Sequence, residues 1–264
     1  RRIHRKQREA MRRRALVIGG TGSIGSEIAL SLAATADLIL VYRKNQVAAD
    51  DTLARIQTAY PQASVTAFAH PLSDQESVHH LQALVQSKWP NGPEILVCCF
   101  GDVDNALLMT EEPSASTKIL TEHLLLKLQL CHSFVDSMYR SRFGRIVCIG
   151  SISSQYVKRG QVAYSAAAAG LEGMTKALAL EVAGRGITVN LIRAGLVSGA
   201  SLSAHQQVLA QSGRDLKKLI PVGRLGEASD IARTTTFLCA DDADFITGTI
   251  VTVDGGRSLG DSHL

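Results

Sequence analysis

The stretch from Ala15 to Ala34 constrains the fold more than any other. Five residues, ALVIG, form a short apolar run; glycines follow at once, and then comes IGSEIALSLAA, whose apolar positions recur at helical spacing. A buried strand that turns through glycine directly into a helix is the opening unit of an alternating α/β sheet. Two glycine registers fit the turn. Gly20, Gly22 and Gly25 satisfy G-x-G-x-x-G, while Gly19, Ser23 and Gly25 fit G-x-x-x-G-x-G with serine in place of the middle glycine. In either register the backbone N–H groups and the dipole of the helix N-terminus favour an anion such as a pyrophosphate.

The same alternation continues along the chain. DLILVY reads as a second strand ending at Tyr42-Arg43-Lys44, followed by a helix over 46 to 58 and the strand SVTAFAH. EILVCCF then precedes Gly101, a long helix is expected from about 114 to 140, and RIVCIGS ends on Ser151. A helix from Tyr164 to about Val182 leads to GITVNLIRAG, and a last helix and strand close the chain. Strands separated by helices imply a parallel sheet wound on both faces, and 264 residues suit one such domain. We find neither an internal repeat nor an interdomain linker.

Composition narrows the function classes. Apolar content of 45% and charged content of 20% are ordinary for a globular domain, and no apolar run approaches the roughly 18 residues a membrane span needs. Cys98, Cys99, Cys131, Cys148 and Cys239 form no C-x-x-C pair or even framework, which points to a reducing compartment. No histidine cluster has metal-ligand spacing, and His79-His80 falls on a polar helix surface, so no metal site is expected. Net charge is +4, yet the first fourteen residues carry eight Lys or Arg against one Glu. That segment reads as a basic tail or the remnant of an organellar, for example mitochondrial, targeting sequence, with the cytoplasm as the other setting. A nucleic-acid arm is the weaker alternative, since no aromatic residues interleave with the charge.

Chemistry concentrates between Ser151 and Lys176, SISSQYVKRGQVAYSAAAAGLEGMTK. This segment resembles the catalytic segment of the short-chain dehydrogenase/reductase family, in which a strand-end Ser precedes a Tyr by thirteen residues and a Lys follows that Tyr by four. Ser151 and Tyr164 keep the spacing; position 168 is Ala. The resemblance runs over residues 15 to 258 through the glycine turn, RGITVN and ITGTIVTVDGG, and its wording is nearest to the 3-oxoacyl-acyl-carrier-protein reductases. It implies a Rossmann-like, seven-stranded parallel sheet, and Ser151 and Tyr164 as catalytic residues. It also implies a nicotinamide dinucleotide held by Gly19, Thr21, Gly22, Ser23, Ile24, Gly25, Gly101, Tyr164, Gly195 and Val197. Arg43 and Lys44, where a carboxylate would grip an NAD ribose, suit the 2′-phosphate of NADP(H).

The substrates implied are carbonyl compounds, small or carried as acyl-carrier thioesters. An oligomer is implied too, built on the helices at 114 to 140 and 160 to 183, where Ala166, Ala169, Gly170 and Gly173 would allow close approach. The polar segment after Gly195 corresponds to the family's substrate-covering loop.

Several positions depart from the family pattern. Its Asn-Asn-Ala-Gly is Cys98-Cys99-Phe100-Gly101, its adenine-contacting Asp falls at Pro71, its Pro-Gly is Ala194-Gly195, and its relay Asn falls at His123. Two functions are therefore open: an NADPH-dependent reductase of weakened activity, or a catalytically degenerate member retained as a structural or regulatory subunit.

Overall fold

The computed structural model describes residues 12–102, 106–199 and 216–260. Seven strands form one parallel sheet in the order β3-β2-β1-β4-β5-β6-β7. They are β1 (Arg13–Ile18), β2 (Ala36–Tyr42), β3 (Val65–Ala69), β4 (Ile95–Cys98), β5 (Gly144–Ser151), β6 (Ile187–Ala194) and β7 (Ile250–Val253). The helices are α1 (Ser23–Leu32), α2 (Gln46–Ala59), α3 (Gln75–Lys88), α4 (Pro113–Leu120), α5 (Leu126–Ser141), α6 (Val162–Val182) and α7 (Ala228–Cys239). This is the doubly wound sheet that the alternating pattern implies.

Both faces of the sheet are covered, so β2 and β4 read as near-continuous apolar runs rather than as an apolar–polar alternation. On one face Leu16, Ile18, Ile39 and Val41 pack with α3, α5 and α6; on the other Ala15, Val17, Leu38 and Leu40 pack with α1, α2 and α7. The strand order reverses between β1 and β4. At such a switch point the connections leave in opposite directions and open a crevice at the carboxyl ends of the strands.

Two expectations change. The basic run was expected to stay apart from the fold through residue 14, but β1 begins at Arg13. Arg12 pairs with Asp37, Arg13 with Glu94 and Asp241, and Arg14 with Glu94. The long helix expected from 114 to 140 is not continuous. A π-helical turn, Thr121–Leu125, separates α4 from α5 and carries His123. Such turns insert one extra residue into a helix and are frequent at functional sites. Most of the polar segment after Gly195, and residues 1–11 of the basic run, lie outside the described residues.

Candidate active site

A cleft of about 630 Å³ opens at the carboxyl ends of β1, β4 and β5. Its walls include Gly19, Thr21, Gly22, Ser23, Ile24, Gly25, Arg43, Lys44, Gly101, Ser151, Tyr164, Gly195 and Val197, so every residue implied by the resemblance reaches one space.

The glycine turn acts in the second of the two registers. Gly19 has φ +78°, and a Cβ there would stand 2.1 Å from the Cys99 carbonyl oxygen; a Cβ on Gly25 would stand 2.0 Å from Gly19 O. These two backbones touch each other and the residue that follows β4, so neither position admits a side chain. Gly22 is the N-cap of α1 and provides no side-chain cap, which leaves first-turn N–H groups without that partner beside the cleft. Ser23 is exposed, and its hydroxyl lies where a Cβ on Gly199 would come within 2.7 Å. A glycine-rich turn with uncapped donors at the mouth of a ten-residue helix fits a dinucleotide pyrophosphate.

At the end of β2, Arg43 is half exposed and forms an ion pair with Asp102. Lys44 lines the cleft beside it. Pro71 is exposed and lies off the cleft wall, which His70 and Leu72 form instead. Gly101 has φ +123°, and the His123 ring lies where a Cβ would be, 2.3 Å from its Cε1. His123 Nε2 donates to the Asp102 carbonyl at 2.8 Å. Its ring meets Tyr164 edge-on, with centroids 4.8 Å apart. Burial first, and then Lys127, bring the His123 pKa down to about 4, so the imidazole is neutral at pH 7.

Ser151 ends β5, and Tyr164 sits in the first turn of α6. Burial holds the Tyr164 phenol above its ordinary value, and hydrogen bonding with the Ser151 side chain offsets this only in part. Ser151 Oγ also donates to Ser153 Oγ at 3.1 Å and accepts the Ser153 N–H at 3.1 Å; Ser153 Oγ in turn donates to Gln161 Oε1. This network fixes the Ser151 rotamer from behind. Ala168, one turn along α6 from Tyr164, is buried on the same wall. Sequence reasoning missed Lys127, Ser153, Gln161 and Lys158, all of which line the cleft. Lys127 had a signal: it interrupts the apolar run LLLKLQL one turn after His123.

Sequence comparison then decides the family. The profile described as "Enoyl-(Acyl carrier protein) reductase" matches residues 19–258. The chain belongs to the short-chain dehydrogenase/reductase family. It is 34% identical over 246 residues to the 3-oxoacyl-[acyl-carrier-protein] reductase FabG of Haemophilus influenzae, covering 93% of this chain and 98% of that protein. It is 35% identical over 249 residues to an acetoacetyl-CoA reductase of Rhizobium meliloti, covering 94% and 99%. Levodione reductase has a similar structure, with TM-score 0.88 at 23% identity over 94% of this chain and 98% of that one. So does YwfH, an NADPH-dependent reductase involved in bacilysin biosynthesis, with TM-score 0.86 at 24% identity over 94% and 98%. Members of this short-chain dehydrogenase/reductase family share the seven-stranded sheet seen here.

Proposed function

We propose that the protein is an NADPH-dependent reductase of 3-oxoacyl thioesters or closely similar carbonyl compounds. The observation that carries this reading is the Ser151–Tyr164 hydroxyl pair on one wall of the cleft that the glycine turn opens. A bound nicotinamide supplies the hydride. Ser151 and Tyr164 are the donors to which a substrate carbonyl oxygen would bind, and Tyr164 holds the proton that the developing alkoxide takes. The raised pKa of Tyr164 keeps that proton in place at neutral pH, which is what reduction requires. Alcohol oxidation needs the tyrosinate, so the same burial disfavours the reverse direction.

Arg43 and Lys44 support the choice of NADP(H). The Arg43–Asp102 pair is exposed, and such pairs contribute at most about 1 kcal/mol, so a 2′-phosphate can displace Asp102 without a large penalty. For assembly, Ala166, Ala169 and Gly173 on α6 are exposed, as are Leu180 and, on the neighbouring helix, Leu128. This face supports an oligomer. Gly170 is not part of it, since a Cβ there would meet Leu124 at 2.9 Å inside the protein.

Ala168 and His123 favour a second reading, in which the chain is a catalytically silent subunit of a larger assembly. Positioned acid–base groups contribute about 10²–10⁴ in rate, and groups acting as a unit fail together. We therefore expect 3-oxoacyl thioester reduction at least about a hundredfold slower than in a relative with Lys at position 168, and little recovery from Ala168→Lys alone. The test is an NADPH titration of the pure protein followed by a turnover assay on a 3-oxoacyl thioester. Slow reduction that Tyr164→Phe abolishes supports the reductase. NADPH binding with no reduction above the Tyr164→Phe background supports the silent subunit.

A further inference from the structure

Lys127 lies on α5, one turn past His123, and is only 2% exposed. Its ammonium donates to the Ile149 carbonyl at 3.0 Å and stands 5.5 Å from the centroid of the Phe100 ring. Burial lowers its pKa, and the groups that act on it or on which it acts electrostatically are the thiols of Cys98, Cys99, Cys131 and Cys148 and the imidazole of His123. Among the described residues no carboxylate forms an ion pair with it. An ammonium taken out of water without a counter-charge costs several kcal/mol, and one carbonyl satisfies one of its three N–H donors. If this position only had to fill space between α5 and the sheet, Met or Leu would do so at no such cost.

The side chain also borders the cleft, together with Phe100, Ile149, Tyr164 and Ala168. We propose that Lys127 is a cofactor-binding residue whose two remaining N–H donors hold the hydroxyls of the ribose beside the nicotinamide. The inference rests on reading the cleft as a dinucleotide site. Given that, a hydride donor must stand next to Ser151 and Tyr164, and the sugar joined to it falls in the part of the cleft walled by these residues. A ribose offers two neutral acceptors to the ammonium, and Ala168 leaves the facing wall clear. On the Tyr164 phenol itself, the group that lowers the pKa is Ser151. The cation of this site thus enters from α5 rather than from α6, and it serves binding rather than acid strength.

Three ligands separate the possibilities by calorimetric titration. NADPH is whole; 2′-phospho-ADP-ribose keeps both riboses without the nicotinamide; 2′,5′-ADP keeps only the adenosine end. Lys127→Met is expected to weaken NADPH and 2′-phospho-ADP-ribose at least about tenfold, as loss of charged hydrogen bonds does. It should leave 2′,5′-ADP within about twofold and should not lower the thermal midpoint, because Met fills the volume without a buried charge. Adding Ala168→Lys to Lys127→Met should recover NADPH affinity, with the cation supplied from the opposite wall. Lys127→Gln, which can still bond Ile149 O, serves the same test if the Met variant does not fold.

Unchanged affinity for all three ligands in Lys127→Met overturns the role of Lys127 while leaving the dinucleotide reading intact. Equal weakening of all three, 2′,5′-ADP included, shows general loosening and overturns it as well. Wild-type protein that binds none of the three removes the dinucleotide reading, and the role of Lys127 with it.

Discussion

His123 should make this protein lose stability in mild acid. The imidazole is 7% exposed, gives its Nε2 proton to the Asp102 carbonyl, and lies against Gly101 on one side and Tyr164 on the other. Protonating Nδ1 would add a second buried cation close to Lys127. The folded pKa is about 4, against the ordinary 6.5 of an unfolded chain. The unfolded state therefore binds the extra proton first as pH falls, and the stabilisation, complete above about pH 6.5, is lost down to about pH 4. At 1.36 kcal/mol per pKa unit the loss is about 3 kcal/mol in full, and about 2 kcal/mol at pH 5 relative to pH 8. Urea unfolding can be followed through Trp89, the single tryptophan, which packs against the core. Comparing wild type with His123→Asn at both pH values cancels the contributions of the other histidines. The variant should lose about 2 kcal/mol less than wild type between pH 8 and pH 5. Identical losses would refute both the burial argument and the repulsion by Lys127.

Three further outcomes follow from the same geometry. NADPH should bind at least about tenfold more tightly than NADH, and Arg43→Ala should narrow that ratio; equal affinities would remove the assigned role of Arg43 and Lys44. Gly25→Ala should destabilise the fold by about 1–3 kcal/mol and abolish dinucleotide binding, because its Cβ would lie 2.0 Å from Gly19 O; calorimetry and a thermal melt check both effects. Light scattering at micromolar concentration should show an oligomer that Ala169→Arg dissociates, and a monomeric wild type would count against the exposed α6 face as an interface.

The fold was legible because a doubly wound sheet writes its pattern locally: apolar runs of strand length, glycine turns and helical periodicity each need only neighbouring residues. What escaped needed contacts distant in sequence. Arg13 and Arg14 read as tail because nothing near them reveals Glu94 or Asp241, which hold them at the start of β1. Both glycine registers fit the spacing, and only the approach of Gly25 to Gly19 decides between them. Pro71 was placed on the cleft by counting along a pattern, whereas the chain leaves the cleft there and returns at Leu72.

Lys127 shows the limit most clearly. A single lysine in an apolar helix has the same sequence signature whether its ammonium reaches water along its stem or is sealed in, because that depends on what lies opposite. Here β5 and Phe100 lie opposite, so the ammonium is held at the cleft wall and does not reach the outer surface. Motif reading asks which residue type occupies a fixed position, and at position 168 the answer is alanine. A cleft responds instead to which groups reach a given volume, and α5 and α6 border the same one. An ammonium lost from one helix can therefore be supplied by the other without changing the backbone. In that case the Ser151–Tyr164 pair and the cation would vary independently. Tyr164→Phe should then abolish reduction while lowering NADPH affinity less than Lys127→Met does; equal losses of affinity in the two variants would tie the two functions to one unit.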